Sequence, residues 1–203
     1  VSSYWLLSST RVTRSVAMGV LAGKPVTRLD AAVVKRLATA LQRHGIGSNA
    51  GILLEPLAAD PAKAIDAATQ RRLEEGLSRL NEALEASATP SAEWPSMREV
   101  FGDEVLVELL GVGATSLRRY ASGERDTPDD VAARLHWLAM VVADLAGAYN
   151  DFGIRRWFER PRSQLDGKSP RKVLGGAWSP DDAAAARVRA LASVLSGAQP
   201  LAA

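Results

Sequence analysis

The 203-residue chain is 47% hydrophobic and 24% charged, ordinary globular proportions that exclude disorder throughout and leave room for one or two domains of about 100 residues each. With no cysteine and two histidines it has no disulfide, thiol nucleophile, iron–sulfur cluster, Cys-ligated zinc or all-His metal site. The formal net charge of +2 conceals an alternation: residues 1–54 sum to +6, 55–97 to −4, 98–150 to −4 and 151–203 to +4, so both ends are basic, as a phosphate-gathering or simply solvated surface would be.

In chain order, Tyr4 to Leu7 and Ile52 to Leu54 could each form a short strand. Between them Leu29, Val33, Leu37 and Leu41 recur every four residues. This predicts an amphipathic helix capped by Thr27 or Asp30 and stopped by Gly45. Asp60-Pro61 opens a second helix, because Asp caps free amides and Pro fits the first turn. Its apolar row is Ile65, Leu73, Leu77, Leu80 and Leu84, its solvated face carries Arg71/Glu75 and Glu75/Arg79, and it reaches about Glu85. The Ser, Thr and Pro residues of 87–96 predict a surface connection and a domain boundary. Beyond it the pattern is all helix, at 103–110, 114–121, 128–148, 154–158, 170–174 and 180–195. The longest carries the core stripe Val131, Leu135, Leu138, Val142 and Leu145.

The segment 104–125, EVLVELLGVGATSLRRYASGER, has the organisation of a helix-turn-helix: a short apolar helix, a Gly-containing turn and a second short polar helix. Gly111 permits the left-handed backbone of a sharp turn, and Val112 and Leu117 are expected to tuck inward. Thr115, Ser116, Arg118, Arg119 and Ser122 then face outward as candidate DNA-binding residues. Arginine matches the acceptor edge of guanine, and hydroxyls reach phosphates or bases. The segment is net acidic, with Glu104 and Glu108 on the supporting helix, so charge does not separate this reading from an ordinary helical surface.

Two blocks, LVELLGVGATSLRRYASGERDTPDDVAARLHWLAMVVADL at 106–145 and IRRWFERPRSQLDGKSPRKVL at 154–174, followed by a closing helix, resemble the Xre/MbcA/ParS antitoxin family over about residues 100–197. The more specific element is Trp157, Pro161, Leu165, Gly167, Ser169, Pro170 and Leu174. The resemblance implies a Cro/Xre-like helix-turn-helix joined to a small helical toxin-binding region. It also implies a cognate toxin, commonly of the NAD-consuming RES type, and repression of the protein's own operon. On that basis Trp157, Arg160, Leu165, Lys168 and Arg171 are the candidate partner-binding residues. The same block also reads as a structural staple: Gly167 in a tight turn, Ser169 capping and Pro170 opening a helix, Leu165 and Leu174 closing over Trp157. Both readings stay open. The sequence departs from the family in the roughly 95 residues that precede the helix-turn-helix, and its tail from Gly197 is apolar and uncharged.

The expected architecture is therefore mainly α: an N-terminal helical unit (1–96), a helix-turn-helix region (97–150) and an all-helical partner-binding region (151–203). The expected protein is cytoplasmic, binds no cofactor, metal or membrane, and is a homodimer on double-stranded operator DNA, because one short recognition helix reads too few base pairs for useful affinity. No apolar run approaches the roughly 18 residues of a membrane helix, and the start has no leader pattern. No catalytic residue is expected. Gly19 to Pro25 is one residue short for a phosphate loop and has Pro where Ser or Thr belongs, His44 and His136 have no triad around them, and Asp181-Asp182 reads as a helix cap. The alternatives are a stand-alone regulator whose first 96 residues dimerise or bind an effector, and a protein-interaction module with a vestigial helix-turn-helix.

Overall fold

The computed structural model describes residues 18–19, 31–46, 67–146 and 148–196, and every regular element among them is helical. The expected strands at Tyr4 to Leu7 and Ile52 to Leu54, the Gly19 to Pro25 loop beyond Gly19, the caps Thr27 and Asp30, the Asp60-Pro61 helix start with Ile65, and the tail from Gly197 lie outside the described residues. The chain divides into two compact units. Among the described residues one holds 31–46 and 67–87, and the other 18–19 and 88–196.

In the first unit α1, Ala31–Arg43, buries Val33, Val34, Leu37 and Leu41. It ends at Gly45 in a Schellman arrangement, with the Ile46 amide donating to Leu41 O at 2.9 Å and the Gly45 amide to Gln42 O at 3.1 Å. Buried Ile46 and Leu41 supply the apolar pair that accompanies this motif. Helix α2, Ala67–Ala86, buries Leu80 and Leu84, while Arg79 and Glu75 pair at 4.0 Å on its exposed face.

The second unit opens with a correction. Residues 87–96 are not a surface connection: helix α3, Pro90–Leu110, starts inside them. Thr89 is its N-cap and Pro90 takes the first helical position, where the missing N–H costs nothing. Trp94, Met97, Val100 and Phe101 form a buried stripe, and this tertiary burial overrides the local breaking tendency of Pro95. The boundary between units accordingly falls at 87/88, and the described residues of 97–150 and 151–203 belong to a single unit.

Helix α3 bends at Gly102 (φ 74°, ψ 163°), a conformation essentially restricted to glycine. Beside the bend, Arg155 Nη1 donates to Val100 O at 2.7 Å. The second half of α3, 103–110, leads through Gly111 into α4, Ala114–Ala121, and then α5, Asp129–Ala146. Helix α5 is buried nearly all round, as a central helix must be, and packs against α3 and against α8, Ala183–Ser196. Helix α6, Asp151–Glu159, a 3-10 turn at Ser163–Leu165 and α7, Pro170–Val173, complete the unit. Among the described residues no single helix is long and apolar enough to cross a membrane.

Three polar contacts tie elements of this core together. Glu93, fully buried, is hydrogen-bonded through Oε1 to His136 Nδ1 at 2.7 Å, joining α3 to α5. Trp94 Nε1 donates to Thr127 Oγ1 at 2.9 Å, and Trp178 Nε1 to Leu109 O at 2.7 Å. Edge-to-face pairs Phe101–Phe158 and Trp137–Trp178, each with ring centroids 4.9 Å apart, fill the space between α3, α5, α6 and the segment before α8.

Candidate nucleic-acid interface

The turn between α3 and α4 is built around Gly111, at φ 64° and ψ 34°. Its amide donates to Glu108 O at 3.3 Å and the Val112 amide to Val107 O at 3.2 Å, which satisfies the last carbonyls of α3. A Cβ at Gly111 would stand 2.9 Å from the carbonyl oxygen of Gly176, so the position demands glycine for space as well as for backbone angle.

Helix α4 is anchored by Leu117, with no exposed surface, and by Tyr120, whose ring stacks on Trp94 with centroids 6.4 Å apart. Val112 is only half-buried, so Leu117 and Tyr120 carry the anchoring that Val112 was expected to share. With those two residues inward, Thr115, Arg118 and Arg119 face solvent and Ser116 is half-buried. Gly113, the N-cap, has no side chain to cap the first amides of α4. Ser122 is exposed but its hydroxyl donates to Arg119 O at 3.2 Å, so it finishes the helix.

The two outward arginines have different surroundings. Arg118 lies near Asp103, whose carboxylate is already bound in a fork by Arg98 through Nε at 2.7 Å and Nη2 at 3.0 Å. The Arg98 hydrogen bonds, with the charges of Arg98 and Arg118, hold the Asp103 carboxyl below the usual carboxylate range against the opposing effect of burial. Arg119 Nε meets Glu124 Oε1 at 3.0 Å. Arg125 sits with its guanidinium 5.5 Å from the Tyr120 ring centroid. Arg98, Asp103, Glu124 and Arg125 escaped the sequence reading. Arg98 and Asp103 meet across the Gly102 bend, and Glu124 returns to Arg119 from the loop after α4, neither at a helical spacing.

The residues expected to bind a partner divide in two. Trp157 and Leu165 are buried. Trp157 meets Phe158 edge-on at 5.2 Å and carries the Arg162 guanidinium 4.5 Å above its ring, and burial pulls Arg162 below its ordinary pKa. Ser169 accepts from the Lys172 amide at 3.3 Å and Pro170 opens α7, which is the staple geometry. Arg171 bridges Glu108 at 2.8 Å and Glu159 at 3.5 Å. Only Arg160 and Lys168 of the five are exposed. Asp182 closes a cap around the start of α8, its Oδ2 accepting from the Ser179 amide at 2.8 Å.

No family model matches this sequence, and neither a curated protein nor a solved structure does. Among the described residues no three His, Cys, Asp or Glu side chains gather as a metal set. The geometry that remains is a short, polar, arginine-bearing helix fixed by its inner face to a rigid helical unit.

Proposed function

We propose that this chain is a sequence-reading DNA-binding protein of the Xre/MbcA/ParS antitoxin type, which presents α4 to the major groove and represses its own operon. The observation that carries this reading is the division of α4 into an inner face, Leu117 and Tyr120, and an outer face, Thr115, Arg118 and Arg119. A groove-reading helix needs both: rigid attachment, and donors free of the core. Two copies bind a two-fold duplex site, and a protein with this role works in the cytoplasm, where the operon is.

The antitoxin half of the proposal rests on the resemblance of 154–174 to the family's toxin-binding block. In it residues 151–203 receive a RES-type toxin, with Arg160 and Lys168 as the exposed charges. Arg171 and Trp178 grip the second half of α3 through Glu108 and Leu109 O, so a partner seated there is in mechanical reach of the helix-turn-helix.

The test is twofold. Full-length protein is used to select from a random duplex library, and enrichment of a two-fold motif is expected. Tagged protein is then purified from its native host after nuclease treatment and a high-salt wash, and a stoichiometric neighbour-encoded toxin is expected. A selected motif without any protein partner favours the stand-alone regulator, for which the separate N-terminal unit would be the dimerisation or effector domain. No motif but a stable protein partner favours the interaction module.

A further inference from the structure

We infer that Glu124 is a positioning residue for DNA reading, holding the Arg119 guanidinium by its Nε edge so that the terminal edge is presented to a guanine. The inference rests on the DNA-binding function proposed above and assigns different work to the two arginines of α4.

The first observation is the contact itself, Arg119 Nε to Glu124 Oε1 at 3.0 Å. A guanidinium is a planar fork of five donors. Engagement at Nε leaves the Nη1/Nη2 edge available for the bidentate bond to guanine O6 and N7. The second observation is that Glu124 is carried by a stitched loop. The Ser122 amide donates to Arg118 O at 3.0 Å, Gly123 to Tyr120 O at 3.1 Å and Arg125 to Arg119 O at 3.1 Å. Arg125 lies over the ring of Tyr120, which is itself stacked on Trp94. The backbone is therefore fixed on both sides of Glu124. An arginine oriented in advance loses less rotamer freedom when it docks than a free one does.

Among the described residues Arg118 has no comparable holder. Asp103, the carboxylate near it, is already forked by Arg98. Arg118 therefore supplies undirected positive charge of the kind that phosphates accept, whereas Arg119 is aimed. If Glu124 were only a counter-charge to be displaced, its removal would strengthen binding to every duplex alike.

The experiment compares full-length wild type, Arg119→Ala, Glu124→Ala and Glu124→Gln in selection from a random duplex library. It is followed by titration of the selected duplex and of one with the guanine that depends on Arg119 replaced. Glu124→Ala is expected to bind the replaced duplex at least as well as wild type, because a negative charge has gone, while its preference for that guanine falls about tenfold. Glu124→Gln keeps the side chain's length but removes the charge, and because the contact is an ion pair its preference falls as well. An unchanged preference in Glu124→Ala, or an equal change on both duplexes, overturns the positioning role and leaves DNA reading intact. A wild-type pool with no enriched motif overturns both.

Discussion

Gly111→Ala, set beside Gly123→Ala, separates backbone strain from close packing at the turn that aims α4. Both glycines are left-handed, at φ 64° and φ 73°. A Cβ at Gly123 meets nothing within 4 Å, whereas at Gly111 it would lie 2.9 Å from a backbone oxygen, Gly176 O, which cannot rotate away. The left-handed conformation costs an alanine about 1–2 kcal/mol, partly offset by the smaller conformational freedom of its unfolded chain. Gly123→Ala should thus cost about 1 kcal/mol. Gly111→Ala adds the cost of forcing two backbone segments apart, about 1–3 kcal/mol, for a total of about 2–4 kcal/mol. Urea titration followed by tryptophan fluorescence reads this well, because Trp94, Trp137, Trp157 and Trp178, four of the five tryptophans, lie in the unit concerned. With a slope of about 2 kcal/mol per molar, the extra cost moves the midpoint down by about 0.5–1.5 M relative to Gly123→Ala. Equal midpoints for the two variants would refute the argument that the approach of Gly176 fixes the turn.

The remaining expectations follow from the same contacts. Glu93→Ala should destabilise the second unit by about 1–3 kcal/mol, because it leaves buried His136 without its 2.7 Å partner, and Glu93→Gln should cost less. A double-mutant cycle with His136→Ala tests this, strict additivity being the contrary result. Trp178→Phe keeps the ring but removes the bond to Leu109 O, with an expected loss of about 1 kcal/mol in denaturant midpoint measurements. The Glu108 carboxyl is held below its usual range, first by its hydrogen bond from Arg171 and then by the charge of Arg171 against the opposing effect of burial. A depressed carboxyl stabilises above its unfolded pKa of about 4.3 and loses that contribution as pH falls through the folded value. The stability difference between wild type and Arg171→Gln should therefore be present at neutral pH and shrink below about pH 4. A difference that stays constant into acid would contradict the pairing.

What could be read from the sequence depended on how local its cause was. The four-residue recurrence of Val33, Leu37 and Leu41, the stop at Gly45, and the turn at Gly111 are short-range signals, and each stands in the structure where it was expected. The Ser169-Pro170 helix start is likewise written in adjacent residues. By contrast, 87–96 look like a linker because Ser, Thr and Pro dominate locally. The helix there is made by Trp94, Met97, Val100 and Phe101 finding a core contributed by residues far along the chain. The Glu93–His136 contact spans 43 positions, so neither residue could suggest the other. At the candidate interface the outward faces of Arg118 and Arg119 were legible from helical spacing. The groups around them were not, because Asp103 meets Arg98 across a bend and Glu124 returns to Arg119 from a loop.

The central claim is that α4 carries the DNA-reading donors, and titration of a labelled selected duplex with full-length wild type and with Arg118→Ala/Arg119→Ala tests it most directly. At two salt concentrations, wild-type affinity should fall steeply with salt, and the double variant should lose both sequence preference, about 1–3 kcal/mol per base contact, and part of the salt slope while keeping its unfolding midpoint. Affinity, preference and slope that are all unchanged in the folded double variant would contradict the account.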